Sequence, residues 1–175
     1  MQDIKKLLFM AFAMLISVQC YALTPSEQNE ILKSHNQIRN SLDLPNLRWS
    51  NSLASKAQSW VNELENSHSC KMKHSRMSGL GENLYWASPI RYSSGNNQIQ
   101  SIEPKAVVWT WADEKPYYNY SSNSCAYGKV CGHYTQLIWA NTTEVGCAKV
   151  ICANKSQIWS CNYNPPGNYI GQRPY

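Results

Sequence analysis

Apolar residues recur along the first part of this chain with the period of a helix. Ile31, His35, Ile38 and Leu42 are three and four apart and predict an amphipathic helix over Ser26–Leu42, with Pro25 and Ser26 marking its start. His35 falls on the apolar stripe, so the favoured reading is a buried imidazole hydrogen-bonded to backbone. Arg39, one turn on, is expected to meet a carboxylate elsewhere. Leu44-Pro45-Asn46 interrupts the pattern, and Leu53, Ala57, Trp60 and Leu64 form one face of a second helix capped by Ser50 or Asn51. Residues 66–81 are polar and irregular. A third helix is expected after Ser101 as cap, with Pro104 tolerated in its first turn. Val107, Trp111 and Glu114 share a face of it, and Pro116 ends it. A carboxylate on an apolar face is either fully paired or functional. A short fourth helix is predicted from about His133 to Ala140.

The pattern then changes to short β runs. Gly146–Cys152 and Gln157–Tyr163 flank a turn signal, Ala153-Asn154-Lys155. If Asn154 centres the turn, Cys147 and Cys161 are equidistant from it and face each other across a hairpin, where a disulfide is predicted. The tail from Pro165 to Tyr175 is rich in Pro, Gly and Tyr and is expected to be extended, packing only through side chains. No internal repeat or low-complexity tract interrupts the chain. Helices followed by strands point to an α+β or layered arrangement, not a doubly wound sheet.

Composition adds an address. Lys5 and Lys6 precede an apolar run, Leu7–Val18, too short to span a bilayer, and Cys20-Tyr21-Ala22 offers a cut after Ala22. Residues 1–22 are therefore expected to be a signal peptide, leaving 23–175 as a single domain with room for a core. The cut removes Cys20, so the seven cysteines become an even set, which predicts three disulfides in an oxidising compartment. The formal net charge is +5. The basic residues are scattered, which argues against a nucleic-acid partner. Sequons at Asn119, Asn141 and Asn154 permit N-glycosylation in a eukaryotic secretory route.

Standard catalytic signatures are absent: no H-E-x-x-H, G-x-S-x-G, P-loop or G-x-G-x-x-G occurs. With the cysteines oxidised, a thiol nucleophile is not expected. The chemistry-bearing candidates are His74, Glu82, Glu114 and His133. Imidazole and carboxylate together suit zinc or another divalent ion, or a base and an acid acting on a bound water. A buried polar network in which each imidazole meets a carboxylate explains them equally well.

At these residues the chain resembles a known family. His35-Asn36-Gln37-Ile38-Arg39, Gly81-Glu82-Asn83-Leu84, Gly132-His133-Tyr134-Thr135-Gln136-Leu137-Ile138-Trp139, Cys161-Asn162-Tyr163 and Gly167-Asn168-Tyr169 are similar to motifs of the CAP superfamily (cysteine-rich secretory proteins, antigen 5 and pathogenesis-related 1 proteins), and most of all to its plant pathogenesis-related 1 type. The resemblance covers essentially all of 23–175. It implies a three-layer α-β-α sandwich around a central antiparallel sheet, and disulfides Cys70–Cys152, Cys125–Cys131 and Cys147–Cys161. It implies a cavity lined by His74, Glu82, Glu114 and His133 that can hold a divalent ion, often zinc. Two departures bear on that cavity. The segment from Cys70 to Glu82 is longer than in compact plant relatives, which would displace His74. A Ser/Gly/Asn-rich loop, Pro89–Gln100, would reshape the rim.

Three functions are open, the first and third implied by the resemblance and the second by the chemistry of the His/Glu set. The first is a secreted, extracellular and monomeric module that binds a sterol or other lipid, or a host or pathogen surface protein, in defence or host interaction. The second is a hydrolase that uses the His/Glu set and zinc-activated water. The third is a precursor that releases a signalling peptide, residues 165–175, after Asn164; a tail that simply closes the fold is the favoured alternative.

Overall fold

The computed structural model describes residues 22–93 and 95–175; the expected signal peptide, apart from Ala22, lies outside the described residues. Thr24 opens the first helix, α1 (Pro25–Asn40). The Thr24 hydroxyl accepts from the Glu27 amide, and the Glu27 carboxylate accepts from the Thr24 amide at 2.7 Å, a reciprocal cap. The helix thus begins slightly earlier than expected, because a Thr three residues before a Glu satisfies the orphan amides. After a short strand, β1 (Arg48–Trp49), Ser50 caps α2 (Asn51–Ser67) by accepting from the Leu53 amide. The strand β2 (Gly81–Ala87) is not evident from the pattern of the chain, since Glu82 and Asn83 spoil any apolar alternation. Then come α3 (Pro104–Ala112), a small hairpin of β3 (Tyr118–Asn119) and β4 (Ser124–Cys125), and α4 (Gly132–Leu137). The chain closes with β5 (Glu144–Ile151), β6 (Gln157–Asn164) and the tail.

The main sheet has the order β1-β5-β6-β2, with β1 parallel to β5 and the other pairs antiparallel. Cys147 and Cys161 are direct partners in the β5–β6 ladder, as the turn symmetry required, and they are bonded. Alternation along these two strands feeds two cores. Val145, Cys147, Trp159, Cys161 and Tyr163 pack with Ile31 and Ile38 of α1, Val107, Val108 and Trp111 of α3, and Leu137 and Ile138 around α4. Ala148, Val150 and Ile158 pack on the other face with Ala57, Trp60, Val61 and Leu64 of α2. The result is the expected α-β-α sandwich. Each core holds one disulfide, Cys147–Cys161 in the first and Cys70–Cys152 in the second, while Cys125–Cys131 staples the surface loop before α4. The approach of α2 to the sheet requires Gly146. A Cβ there would lie 2.3 Å from the Ala54 amide nitrogen and 2.4 Å from the Ser50 carbonyl oxygen.

Three expectations are corrected. Among the described residues, Arg39 meets no carboxylate. Its buried guanidinium donates instead to the carbonyls of Pro45, Leu137, Trp139, Ala140 and Thr142 at 2.7–3.4 Å. The end of α4 has carbonyls without helical partners, and a planar five-donor group satisfies several of them at once. The cap of α3 is Glu103 rather than Ser101, and the helix ends at Ala112, before Glu114. The tail does more than pack side chains. Ala140 N–H donates to the Pro174 carbonyl at 2.7 Å, Gly167 N–H to Gln136 Oε1 at 2.9 Å, and Thr142 Oγ1 to the Pro165 carbonyl at 2.9 Å. Gly167 is needed at this crossing, because a Cβ would lie 2.8 Å from the Trp139 ring.

Candidate functional site

Glu114 comes directly after α3 and opens a single tight turn, Lys115–Tyr117, rather than lying on the helix as its spacing suggested. Asp113 ends α3, and Pro116 fits within that tight turn, where a missing amide proton costs nothing. The break swings the carboxylate onto the start of α4. Glu114 Oε2 accepts from the amides of His133 at 3.0 Å and Tyr134 at 3.1 Å, and Oε1 lies 2.5 Å from His133 Nδ1. The first amides of a helix have no internal partner, so this carboxylate both caps α4 and holds the imidazole. Burial by itself would raise the Glu114 pKa; the hydrogen bonds from His133 and from the two amides outweigh it and hold the group below its ordinary range. Behind it, burial pushes the Tyr134 hydroxyl up to about 12.

His133 is fixed on its other sides. Its ring stacks on Trp111 with centroids 6.3 Å apart and planes 16° apart, and Trp111 Nε1 donates to the Leu84 carbonyl. Asn83 donates through Nδ2 to the His133 carbonyl at 3.1 Å and to the Tyr163 hydroxyl at 3.2 Å. The network continues to His35, whose Nε2 lies 2.9 Å from that hydroxyl and whose Nδ1 lies 2.8 Å from the Ile31 carbonyl. A carbonyl can only accept, so Nδ1 carries the proton and Nε2 accepts from Tyr163. His35 is fully buried, and the cost of burying charge lowers its pKa to about 4. It is the buried, backbone-bonded imidazole that its place on the stripe predicted. Asn83 and Tyr163 gain a role only here. Their signal in the sequence is their position inside two of the family motifs.

His74 and Glu82 form a second pair. His74 Nδ1 donates to Glu82 Oε1 at 2.7 Å, and the Ser75 amide donates to the same oxygen at 3.0 Å. The hydrogen bond to Glu82 raises the His74 pKa. His74 stands well exposed, whereas Glu82 is mostly buried and its Oε2 has no hydrogen-bond partner among the described residues. The four candidates are thus brought together two by two. Among the described residues, no group of three or more His, Cys, Asp or Glu side chains is placed to hold a metal ion. Zinc takes three or four protein ligands, so neither pair alone fits it.

An apolar cleft opens on the outer face, between α1 and α3. It has a volume of about 310 Å³ and is lined by Ile38, Trp109, Ala112, Pro116 and Tyr134, with Lys115 among the polar residues beside them. Trp109 is exposed although it is large and apolar. No described helix is long and apolar enough to cross a membrane.

A disulfide-stapled α-β-α sandwich with a Glu-capped, histidine-bearing helix beside its sheet defines a class of protein. The chain belongs to the cysteine-rich secretory protein (CAP) family, whose family model matches residues 32–163. It is 43% identical over 150 residues to pathogenesis-related protein 1B of Nicotiana tabacum, covering 86% of this chain and 82% of that one. It is 41% identical over 151 residues to pathogenesis-related protein PR-1 of Medicago truncatula, covering 86% and 80%. Among solved structures, Na-ASP-1 superposes with a TM-score of 0.70 at 25% identity, over 90% of this chain and 44% of that longer chain.

Proposed function

We propose that this is a secreted lipid-binding module of pathogenesis-related 1 type, which takes an apolar tail into the cleft between α1 and α3. The observation that carries the reading is the cleft itself. Its volume of about 310 Å³ sits at the low end of small-molecule sites, roughly 300–1,000 Å³, and suits one hydrocarbon chain better than a bulky ligand. Ile38, Ala112, Pro116 and Tyr134 supply apolar walls, Trp109 supplies a flat exposed ring, and Lys115 supplies the cation of a lining that also holds Asp113. Three disulfides suit an oxidising compartment, and the tobacco and Medicago relatives support a place in defence. Hydrolysis is the weaker reading, because the His/Glu side chains hold one another in separate pairs.

The test is direct binding of a fluorescent fatty acid and of a labelled sterol to the purified protein. Saturable fatty-acid binding that weakens about tenfold in Trp109→Ala is expected. Binding unaffected by Trp109→Ala would move the ligand elsewhere, and no saturable binding of either probe would end the lipid reading.

A further inference from the structure

Two loops beside the N-terminus of α4 expose large apolar and tyrosyl side chains. Tyr127 and Ile170 are exposed to 105% and 104%, and Val130 to 60%. Tyr127 and Val130 belong to the loop closed by Cys125–Cys131, and Ile170 belongs to the tail. The two loops are neighbours. Asn168 donates to the Gly132 carbonyl at 2.8 Å and accepts from Thr135 Oγ1 at 2.7 Å, so Ile170 is held two residues from a point that touches the base of the Val130 loop. Both loops line one shared hollow, which includes Lys129, Gly132, Asn168, Tyr169 and Gly171.

The backbones beneath these side chains are fastened. A disulfide closes one loop, and the other is pinned by the Asn168 bonds and by Asn123 Nδ2 donating to the Gln172 carbonyl at 3.0 Å. The charge around the patch is positive. Lys129 lies 4.6 Å above the Tyr117 ring, and Arg173 lies over the Tyr120 ring. Of the nearby carboxylates, Glu114 is occupied by His133 and the α4 amides, and Asp113 lies at the cleft, next but one to Lys115. Firmly held aliphatic and tyrosyl tips, in two loops whose only charged side chains are Lys129 and Arg173, match an anionic membrane surface: the tips enter the headgroup region and the cations meet phosphate or carboxylate. Tyr117, under Lys129, comes directly after Pro116 of the cleft wall, so a short stretch of chain joins the cleft to the Lys129 loop.

We propose that Tyr127, Val130 and Ile170, with Lys129, dock the protein on an anionic lipid bilayer and bring the α1–α3 cleft to its lipid. The proposal rests on the lipid-binding reading for its purpose, and its measurement is independent of it. The test is co-sedimentation of the purified protein with phosphatidylcholine vesicles, with and without about one-third phosphatidylserine, a content at which an anionic surface attracts basic segments. Three variants are compared with the wild type: Tyr127→Ser/Val130→Ser/Ile170→Ser, Lys129→Glu and Trp109→Ala. The three substituted tips are exposed, so circular dichroism should show an unchanged fold. Wild type should sediment with the phosphatidylserine vesicles, the triple variant at least tenfold less, and Lys129→Glu several-fold less. Trp109→Ala should lose fatty acid in solution, which reports on the cleft alone.

Equal sedimentation of wild type and triple variant, or no sedimentation of wild type, overturns the proposal. So does a wild-type dimer, seen by light scattering without vesicles, that the triple variant dissolves; the patch would then serve a second copy of the chain. Loss of fatty-acid binding by the wild type with vesicle binding intact would sink the cleft reading alone.

Discussion

The His35 imidazole accepts a hydrogen bond from the Tyr163 hydroxyl at 2.9 Å, across 128 residues of chain, and does so as a neutral ring. This contact ties α1 to β6, and Asn83 extends it to β2 and α4. The chain His35–Tyr163–Asn83 is therefore a relay of uncharged donors and acceptors that ends at the His133 carbonyl.

Neutral burial of His35 predicts acid sensitivity. Its folded pKa of about 4 lies below the ordinary 6.5, so between these values the unfolded chain binds the extra proton. Stability from this group is complete above about pH 6.5 and is lost as pH falls toward 4, on the order of 3 kcal/mol in all. Urea denaturation at pH 7, 5.5 and 4.5 should show the decline, and His35→Gln should flatten it. An equal slope in that variant would place the acid sensitivity elsewhere.

Glu114 contributes in the same direction at lower pH. Its folded pKa lies below the ordinary 4.5, so its contribution is present above 4.5 and fades as pH falls through the folded value. Glu114→Ala removes the acceptor of two amides and of the His133 ring and should cost roughly 2–3 kcal/mol at pH 7. Glu114→Gln keeps one acceptor oxygen and should cost about half as much. Denaturation midpoints measure both; equal losses would mean that charge alone matters.

Arg39→Met removes the guanidinium donor from five carbonyls, of which that of Trp139 keeps the Thr142 amide. A loss of at least about 3 kcal/mol is expected, since buried polar groups left unpaired carry their full desolvation cost. Arg39→Lys should recover little of it, because an ammonium cannot reach carbonyls spread over a planar fork. Thermal melts of the two variants check this, and a wild-type melting temperature in Arg39→Lys would refute the geometric argument.

The tail is predicted to be structural. Ending the chain at Asn164 uncovers Trp139 and strips partners from Gln136, Thr142 and the Ala140 amide. Such a truncation should cost more than about 2 kcal/mol. Adding the 165–175 peptide back should restore part of the loss, read by tryptophan fluorescence. An undisturbed melt after truncation would favour a releasable peptide over a closing strap.

Zinc offers a check on the pairing. His74 and Glu82 face each other, as do His133 and Glu114, so one ion can meet at most one pair unless the loops rearrange. Calorimetric titration at pH 7 should give only weak binding, insensitive to His74→Ala and His133→Ala taken singly. Stoichiometric uptake abolished by either substitution would show that the four side chains converge on the ion.

Local rules are enough for the helices, the hairpin and one disulfide. Helical period places α1, α2 and α3 to within a few residues, and the symmetry of a turn fixes the partner of Cys147. The family motifs go further and name the other two disulfides and the layered fold, because a family pattern carries tertiary information that one segment does not. The strand β2 leaves no local signal, since its polar residues are buried only by pairing with β6 and by contact with α4. Glu114 is misplaced by periodicity because its helical spacing continues past the residue where the helix actually ends. Four of the five partners of Arg39 lie about a hundred residues away, and all five are carbonyls, which every residue carries and which therefore leave no mark in a sequence. The sequence thus determined which side chains can do chemistry. Only the tertiary structure decided that the two histidines and two glutamates meet as pairs, since hydrogen-bond geometry depends on where loops close rather than on which residues they contain.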